Sequence, residues 1–324
     1  MTDRLFTAPT DYSPANSDSA LPESVTVYEV GARDGLQNES VTVPVQVKIE
    51  FIKRLLAAGL PAVEATSFVH PQRVPQLADA DEVAAGLANE LGSHRLPMLV
   101  PNTRGLQRAL NAGAREIAVF LSATESFAQA NLGTDLLGQR RMTDEVLDAR
   151  PTAMPVRGYV SMCWGDPWEG AVAPGAVVEV VRYLLDIGVN QVSLGDTIGV
   201  ATPNAVTHLL TELGDAGVPM SALAVHFHDT YGQALANTLA ALRSGVTVVD
   251  SSAGGLGGCP FARSATGNLA TEDLLWMLHG MGISTGVDLM SVVRTSVWLA
   301  EQTGRSLVSR TATALAGASA DESR

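Results

Sequence analysis

The sequence predicts an α/β fold, a TIM (β/α)8 barrel with extra C-terminal helices. From residue 25 onward, eight short apolar or β-branched segments alternate with segments of helical periodicity, a pattern typical of a parallel sheet. Eight such units can close the sheet into a barrel, and a chain of 324 residues suits one barrel domain. The predicted strands are residues 25–30, 62–65, 97–100, 116–121, 156–161, 191–194, 223–227 and 247–251.

Helical segments separate these strands, and several end in a glycine that follows an apolar stripe. In Ala57-Ala58-Gly59, for example, the glycine can adopt the left-handed conformation that ends a helix. An open doubly wound sheet is the alternative fold, but it usually has fewer strands, and no G-x-G-x-x-G motif follows the first strand here. The predicted helices are residues 44–58, 74–88, 104–112, 174–187, 203–214 and 231–244, with two more after Glu272 and over 288–302.

Composition limits the classes of partner that the protein can have. The formal net charge of −13 argues against nucleic acid, because neutralising phosphates requires an excess of Lys and Arg. No apolar stretch approaches the ~20 residues of a membrane span. The two cysteines, Cys163 and Cys259, are too few for a disulfide framework and favour reduced thiols in the cytoplasm.

The two ends of the chain differ in composition from the predicted barrel. Residues 1–23 are polar and rich in Ser, Pro, Asp and Ala, so we expect a flexible N-terminal tail. Residues 24–305 are expected to form the barrel with its added helices, and residues 306–324 a flexible C-terminal tail.

Polar residues follow the predicted strands at the points where the strands end. In a barrel these ends and their loops form one catalytic face, and strand 8 lies beside strand 1. Residues from opposite ends of the sequence are therefore expected at one mouth. They are Arg33, Asp34, Glu64, Asp196, His226, His228, Cys259 and Asn268.

Four of these residues suit a divalent cation. His226 and His228 are two apart after an apolar run, so in a strand both imidazoles project from the same face. Taken alone, the pair could simply be hydrogen-bonded at a strand end. With the Asp34 carboxylate and the Asn268 amide oxygen it forms a mixed N/O set that leaves positions open for water or substrate. Oxygen ligands favour Mg²⁺ or Mn²⁺, while two imidazoles leave Zn²⁺, Co²⁺ and Fe²⁺ as alternatives.

The other candidates suit proton transfer and charge stabilisation. Cys259 ends the segment Gly-Gly-Leu-Gly-Gly-Cys, which predicts a mobile thiol that carries a proton, unless the glycines only make a tight turn. Arg33 could face a developing oxyanion, or form an ordinary surface ion pair. Glu64 and Asp196 lie at strand ends and need a charged partner. One of them could act only indirectly, by supporting the residues that bind the metal.

These segments together resemble the 3-hydroxy-3-methylglutaryl-CoA lyases, within the broader family of metal-dependent barrel lyases and Claisen condensation enzymes. The resemblance covers about residues 25–305. It is carried by the string Arg-Asp-Gly-Leu-Gln-Asn-Glu from Arg33 to Glu39 and by the glycine-rich loop ending in Cys259. Further matching segments are residues 64–69, 193–199, 224–232 and 267–273.

The resemblance implies a retro-Claisen cleavage of 3-hydroxy-3-methylglutaryl-CoA, or of a close 3-hydroxy-3-alkyl analogue, into acetyl-CoA and acetoacetate. Asp34, His226, His228 and Asn268 would bind the Mg²⁺ or Mn²⁺ cofactor, and His226 or a nearby carboxylate would take the hydroxyl proton. Arg33 would stabilise the thioester enolate and Cys259 would mediate its protonation, with Glu64 and Asp196 completing the network. The expected substrate-binding residues are Gln37, Ser67, Asn131, Tyr159 and Ser193.

One segment departs from the family pattern. Residues 161–170 read Ser-Met-Cys-Trp-Gly-Asp-Pro-Trp-Glu-Gly, whereas relatives commonly show Ser-Cys-x-x-Gly-Cys-Pro-Tyr-Glu-Gly. Because the segment follows strand 5, we expect Trp164, Asp166 and Trp168 to face the mouth and to reshape the acyl pocket. Ser264 also replaces a usual glycine near the thiol loop.

Two other functions stay open on the sequence alone. An acetyl-CoA-dependent 2-oxo-acid synthase of the isopropylmalate or homocitrate type could use the same barrel, but such synthases usually carry a further C-terminal region, and only about 50 residues follow Asn268. A non-catalytic barrel would have lost a ligand or the thiol, and none is missing. We expect an acyl-CoA substrate and a cytoplasmic homodimer with no nucleic-acid or membrane partner.

Overall fold

A parallel sheet occupies the centre of the molecule and helices surround it. The computed structural model describes residues 8–9, 20–39, 41–259 and 262–321, and for 259, 262–266 and 317–321 it describes the backbone alone. Within these ranges the strands are β1 (Thr26–Glu29), β2 (Ala62–Val63), β3 (Thr66–Ser67), β4 (Met98–Leu99), β5 (Ile117–Ser122), β6 (Val156–Ser161), β7 (Gly165–Asp166), β8 (Gly170–Ala171), β9 (Gln191–Asp196), β10 (Leu223–Phe227), β11 (Val248–Ser251), β12 (Gly258–Cys259) and β13 (Ala262–Thr266). The helices are α1 (Val45–Ala57), α2 (Ala80–Gly86), α3 (Thr103–Asn111), α4 (Glu125–Leu132), α5 (Leu136–Ala149), α6 (Pro174–Asp186), α7 (Pro203–Asp215), α8 (Ala234–Arg243), α9 (Thr271–Gly280), α10 (Leu289–Thr303) and α11 (Arg310–Asp321).

The sheet closes on itself through one interrupted strand. Its order is β2-β1-β11-β10-β9-β6-β5-β4-β3, so the two strands at its ends are separated in sequence by Glu64 and Ala65 alone. The Glu64 N–H donates to the Glu29 carbonyl at 2.8 Å on one side, and the Ala65 N–H donates to the Pro97 carbonyl at 2.9 Å on the other. Residues 62–67 therefore act as a single strand between β1 and β4. The predicted eight-stranded barrel is confirmed, and an open doubly wound sheet is excluded.

Side-chain alternation divides each strand between two environments. Val27, Val225 and Val249 belong to the main apolar core that the strands share with the helices, whereas their neighbours Tyr28 and His226 point into the barrel. The predicted strand positions agree with the structure within one or two residues. Helix 74–88 is shorter than predicted, because a 3-10 turn at Pro75–Leu77 precedes α2. Helices α4 and α5 were not assigned from the sequence.

The C-terminal segment is more ordered than expected. The sequence predicted a flexible tail from residue 306, but α11 packs there with Ala312 and Leu315 buried. The Asp273 carboxylate on α9 accepts from the Thr311 N–H at 2.7 Å, and Ser309 Oγ accepts from the Ala312 N–H at 3.1 Å. These bonds satisfy free N–H groups of the first turn. Ser309, a residue of the expected tail, is thus a helix-capping group.

The expected N-terminal tail, residues 1–23, falls largely outside the described ranges. In the part of the chain that the structure describes, no helix is both long and apolar enough to span a membrane.

Candidate active site

A cavity of about 450 Å³ opens at the C-terminal ends of the barrel strands. Its lining includes the polar side chains Arg33, Asp34, His226 and His228. It also includes the apolar side chains of Val69, Leu99, Phe120, Phe127, Leu132 and Met142. Such a cavity suits a ligand that has a charged head and an apolar arm.

A wide helical turn immediately after β1 positions Arg33 and Asp34. Residues Gly31–Gly35 form a single π-helical turn, in which the Gly35 N–H donates to the Val30 carbonyl at 3.1 Å. The turn presents the Arg33 guanidinium to two carboxylates, those of Asp34 at 2.7 Å and Glu64 at 2.8 Å. Irregular turns of this kind often occur at functional sites.

The histidine pair behaves as its spacing predicts. His226 in β10 and His228 just beyond it lie on the inner face with ring centroids 5.3 Å apart. One ligand atom each from Asp34, His226 and His228 lie within 4.8 Å of one another. This spacing is short enough for the three groups to share one ion.

Backbone pairing with β10 places Asn268 beside Asp34 and the two histidines. His228 and Asn268 form an isolated antiparallel bridge, and the Leu269 N–H donates to the Phe227 carbonyl at 3.0 Å. Asn268 Nδ2 donates to Asp34 Oδ2 at 2.8 Å and to the Leu256 carbonyl at 3.0 Å. The fourth predicted ligand is therefore hydrogen-bonded to the first.

Buried polar atoms that lack a hydrogen-bond partner show whether the site has groups available to bind a cation. Among the described residues, the buried atoms His228 Nδ1 and Asn268 Oδ1 have no hydrogen-bond partner, although burying a polar atom unpaired is costly. A cation that accepts lone pairs from imidazole and carboxylate groups matches this donor set. The residues present thus fit a divalent metal ion.

Neighbouring charges set the protonation of the site. Burial opposes the charge of Asp34, yet the Arg33 guanidinium and the two imidazoles lower the pKa of this carboxyl to about 2. Burial, together with His226, lowers the pKa of His228 to about 4. Asp34 is thus ionised and His228 neutral at neutral pH, which are the forms that bind metal.

Glu64 lies under the Arg33 guanidinium. Besides Arg33 it accepts a hydrogen bond from Tyr159 Oη at 2.9 Å, and it is fully buried. Burial raises the pKa of Glu64 despite the opposing effect of Arg33. Arg33 also lies over the Tyr159 ring, 5.3 Å from its centroid. Arg33, Glu64 and Tyr159 therefore form one charged cluster beside the predicted metal ligands.

The other predicted site residues divide into two groups. Gln37, Asn131 and Tyr159 line the cavity, whereas Ser67 and Ser193 are buried and do not line it. Ser193 Oγ donates to Asp250 at 2.8 Å, and Ser67 Oγ has no hydrogen-bond partner among the described residues. The structure thus brings three of the five predicted substrate-binding residues to the cavity wall.

Asp196 lies behind the cavity wall. Its carboxylate accepts from the Val200 N–H at 2.9 Å and from the Ala201 N–H at 3.0 Å, which holds the turn between β9 and α7. Burial raises the pKa of Asp196 to about 6. Its contacts support a role in loop geometry, and a direct catalytic role stays a prediction.

Cys259 ends β12, and its side chain lies outside the described residues. The glycine loop before it is tightly packed at Gly257, which has φ +110; a Cβ there would lie 2.5 Å from Asn268 Nδ2. The other cysteine, Cys163, is buried and donates to the Val160 carbonyl at 3.1 Å. Burial raises the pKa of the Cys163 thiol, so this cysteine is a core residue.

The segment after β6 does not face the cavity, contrary to expectation. The Asp166 carboxylate accepts from Thr124 Oγ1 at 2.6 Å and from the Trp168 N–H at 2.7 Å. The Trp164 ring packs on Phe227, with centroids 5.6 Å apart. Trp164, Asp166 and Trp168 do not line the cavity, because the β7–β8 hairpin folds back toward the start of α4.

Charged residues inside the barrel were missed in the sequence. Glu29 accepts from Gly31 N–H at 2.7 Å, from Ala253 N–H at 3.0 Å and from Thr271 Oγ1 at 2.7 Å. Arg157 and Asp250 form a buried ion pair. The available signal was a charged residue within an apolar strand, as in Val-Tyr-Glu-Val and Val-Val-Asp-Ser.

Comparison with known proteins identifies relatives over nearly the whole chain. A family model described as HMGL-like matches residues 24–298. The chain is 50% identical over 299 residues to the mitochondrial hydroxymethylglutaryl-CoA lyase of Arabidopsis thaliana, an alignment that covers 91% of this chain but 63% of that protein. It is 49% identical over 301 residues to the cytoplasmic 3-hydroxy-3-methylglutaryl-CoA lyase of Rattus norvegicus, covering 93% of this chain and 87% of that protein.

Solved structures agree with these relatives. The hydroxymethylglutaryl-CoA lyase of Pseudomonas aeruginosa superposes with a TM-score of 0.88 at 45% identity, covering 92% of this chain and 99% of that chain. An HMG-CoA lyase of Acinetobacter baumannii, in complex with coenzyme A and 3-methylmalate, superposes with a TM-score of 0.84 at 34% identity, covering 90% and 95% of the two chains.

Proposed function

Because this chain belongs to the HMGL-like family, we propose that it is a divalent-cation-dependent carbon–carbon lyase. Its proposed substrate is 3-hydroxy-3-methylglutaryl-CoA or a close 3-hydroxy-3-alkylglutaryl-CoA, and its products are acetyl-CoA and acetoacetate or the matching oxo acid. The names of the relatives and the coenzyme A complex of the Acinetobacter structure support an acyl-CoA substrate.

One observation carries the proposal. Asp34, His226 and His228 come from opposite ends of the chain, and their ligand atoms lie within 4.8 Å of one another, beside the Arg33 guanidinium at the cavity mouth. A cation bound there, Mg²⁺ or Mn²⁺ in this proposal, would supply Lewis-acid polarisation of the substrate hydroxyl and carboxylate oxygens. Asp34, His226, His228 and Asn268 would hold it.

The residues of the chain would act on the proton and on the developing charge. His226 or a nearby carboxylate takes the C3 hydroxyl proton, and the C2–C3 bond then breaks to give acetoacetate and the enolate of acetyl-CoA. Arg33 stabilises the enolate oxygen. Its Nε is buried and has no hydrogen-bond partner among the described residues, which supports this role because a donor aimed at developing negative charge stabilises a transition state.

Glu64 and Tyr159 would keep Arg33 in place. The Glu64 carboxylate binds both the Arg33 guanidinium and the Tyr159 hydroxyl. These bonds fix the orientation of the guanidinium. Cys259 would return a proton to the enolate carbon and complete acetyl-CoA. Asp196 would act indirectly, by holding the loop between β9 and α7. Gln37, Asn131 and Tyr159, on the cavity wall, are proposed to contact the substrate, with Ser67 and Ser193 behind them.

The cavity supports a substrate with an apolar arm. Its lining includes the apolar side chains of Val69, Phe120, Phe127 and Leu132 beside the charged residues. The size of the 3-alkyl group that the protein accepts is measured with a panel of thioesters. The condensing synthase is not favoured, because the closely similar relatives are lyases. A homodimer in the cytoplasm is part of the proposal; the relatives include proteins named for the cytoplasm and for mitochondria.

A panel of acyl-CoA thioesters tests the proposal. The purified protein is incubated with Mg²⁺ or Mn²⁺ and either 3-hydroxy-3-methylglutaryl-CoA, its 3-ethyl analogue or a simple 3-hydroxyacyl-CoA, and release of acetyl-CoA and of the oxo acid is measured. From each 3-alkylglutaryl thioester we expect acetyl-CoA and the oxo acid to be released in equal amounts, and only when the cation is present. Incubation of acetyl-CoA with 2-oxo acids is the reverse test, and condensation there without cleavage of any thioester would favour the synthase.

A further inference from the structure

The barrel interior beneath the site holds a buried ion pair that the proposed reaction does not use. Arg157 in β6 and Asp250 in β11 are each 1% exposed, and Arg157 Nη2 donates to Asp250 Oδ1 at 2.5 Å. The inside of such barrels is usually filled with branched apolar side chains. Removing two charges from water is costly, and a buried pair is weak evidence for stability. Stability alone therefore does not account for the pair.

Two side chains, Arg157 and Ser193, hold Asp250, and Arg157 is itself held by Tyr28 and Gln191. The Arg157 guanidinium lies over the Tyr28 ring, 3.7 Å from its centroid, and a second nitrogen of the guanidinium donates to Gln191 Oε1 at 2.7 Å. Ser193 Oγ donates to Asp250 Oδ2 at 2.8 Å. These contacts fix both carboxylate oxygens, one on Arg157 and one on Ser193.

The second oxygen also faces a predicted metal ligand. Asp250 and His226 are register partners on the adjacent strands β11 and β10, and His226 Nδ1 lies 3.4 Å from Asp250 Oδ2. Apart from this approach to Asp250, no described residue forms a hydrogen bond to this nitrogen. Since Nδ1 faces Asp250, the other ring nitrogen, Nε2, is left as the atom that can serve as a metal ligand.

We propose that Asp250, held by Arg157 and Ser193, is a positioning residue that accepts the Nδ1–H of His226 and aims Nε2 at the metal. Ligating histidines commonly donate their second N–H to a carboxylate, and loss of that carboxylate typically weakens metal affinity about 10- to 100-fold. Arg157 binds one oxygen of Asp250, and the other oxygen faces His226. This inference rests on the proposed metal site and not on the proposed substrate. Because both ring nitrogens of His226 are then engaged, it assigns the C3 hydroxyl proton to the nearby carboxylate and not to His226.

The test is Mn²⁺ binding to metal-free protein, measured by titration calorimetry, with the melting temperature recorded for each variant. Asp250→Leu combined with Arg157→Met removes the pair without leaving a buried charge unpaired. We expect Mn²⁺ affinity to fall at least about 10-fold while the protein stays folded. Arg157→Met alone keeps the acceptor, so it should lose stability but keep Mn²⁺ affinity within about threefold. Asp250→Asn is a gentler second variant with the same expected direction as the double variant.

A partly buried ion pair elsewhere in the fold provides the control. Lys48 and Asp79 form an ion pair at 2.7 Å that lies among helices, and Lys48→Met with Asp79→Leu should leave Mn²⁺ affinity unchanged. Wild-type affinity in the Arg157–Asp250 double variant would overturn the proposal, as would equal losses in Arg157→Met and the double variant. A wild-type protein that binds no Mn²⁺ would instead remove the metal site itself.

Discussion

Asp34 has three kinds of neighbour, and each of them limits what this carboxylate can do. Arg33 and the histidines hold its pKa at about 2, so it is ionised at any pH at which the protein would work. The Asn268 amide donates to its second oxygen at 2.8 Å. At the scale of single residues, the site therefore consists of a fixed anion, a neutral imidazole and an arginine whose Nε has no hydrogen-bond partner among the described residues.

His228 provides the direct test of the metal site. His228→Ala removes a neutral imidazole, and we expect Mn²⁺ affinity to fall at least about 10-fold because one ligand is lost. Calorimetric titration of metal-free protein measures the effect. His94→Ala, at an exposed position bonded to Ser93, is the control. Equal affinity in parent and His228→Ala would refute the assignment.

Cys259 is predicted to act on protons and not on folding. Cys259→Ser should keep the fold and the metal affinity but lower the turnover number about 100-fold or more, because general acid–base groups contribute this much. Steady-state acetyl-CoA release with saturating substrate measures it. Cys163→Ala is the matched control, expected to lose stability through a core cavity while keeping turnover. An unchanged rate in Cys259→Ser would remove this thiol from the mechanism.

At the scale of secondary-structure elements, loops from the two ends of the chain pack directly on each other. The glycine loop touches both the turn after β1 and the segment that carries Asn268. At Gly257 a Cβ would lie 2.5 Å from Asn268 Nδ2 and 3.4 Å from the Gly35 Cα. The absence of a side chain there allows Asn268, the fourth predicted ligand, to reach Asp34.

Gly257→Ala tests this packing against a control with the same backbone requirement. Gly217 has φ +83, and no neighbouring atom lies within 4 Å of the position that an added Cβ would take. Because left-handed φ is strained for alanine, both substitutions should lose at least about 1–2 kcal/mol of unfolding free energy. Only Gly257→Ala should also weaken Mn²⁺ binding, by displacing Asn268. Urea unfolding and Mn²⁺ titration separate the two effects, and unchanged Mn²⁺ affinity in Gly257→Ala would contradict the packing argument.

At the scale of the whole molecule, buried carboxylates join the barrel to its C-terminal helices. Glu29 binds the backbone at Gly31 and Ala253, and Glu272 on α9 accepts from the Gly254 N–H at 3.0 Å and from Ser296 in α10. Burial raises the pKa of each of these carboxyls to about 7. Two titratable groups, Glu29 and Glu272, thus help both to close the ring of strands and to attach the C-terminal helices to it.

These two groups predict how stability depends on pH. A carboxyl with a raised pKa in the folded state binds more protons there than in the unfolded chain, so its contribution is complete below about pH 4.5 and is lost as pH rises through about 7. Each group can contribute on the order of 3 kcal/mol over this window. Glu29→Gln should reduce the fall in unfolding free energy between pH 5 and pH 8, measured by urea titration of metal-free protein. If the unfolding free energy of Glu29→Gln falls with pH as steeply as that of the wild type, Glu29 is not the source of this pH dependence.

The sequence was sufficient for the features that depend on local periodicity. Eight apolar segments with helical segments between them predicted the barrel, and the spacing of His226 and His228 predicted that they share a face, because strand and helix periods are properties of the backbone. The family string from Arg33 to Glu39 and the glycine loop led to the same class of enzyme. These inferences needed no knowledge of distant contacts.

Only the tertiary structure decided which distant groups meet. It brought Asn268 to Asp34, turned the Asp196 carboxylate to the backbone of its own loop, folded Asp166 away from the cavity and placed Asp250 against His226. It also ordered α11, whose first turn is capped by Asp273, far away in sequence. Such contacts depend on ring closure and on partners distant along the chain, and the energy of a buried charge is set by those partners, which no local pattern of residues specifies.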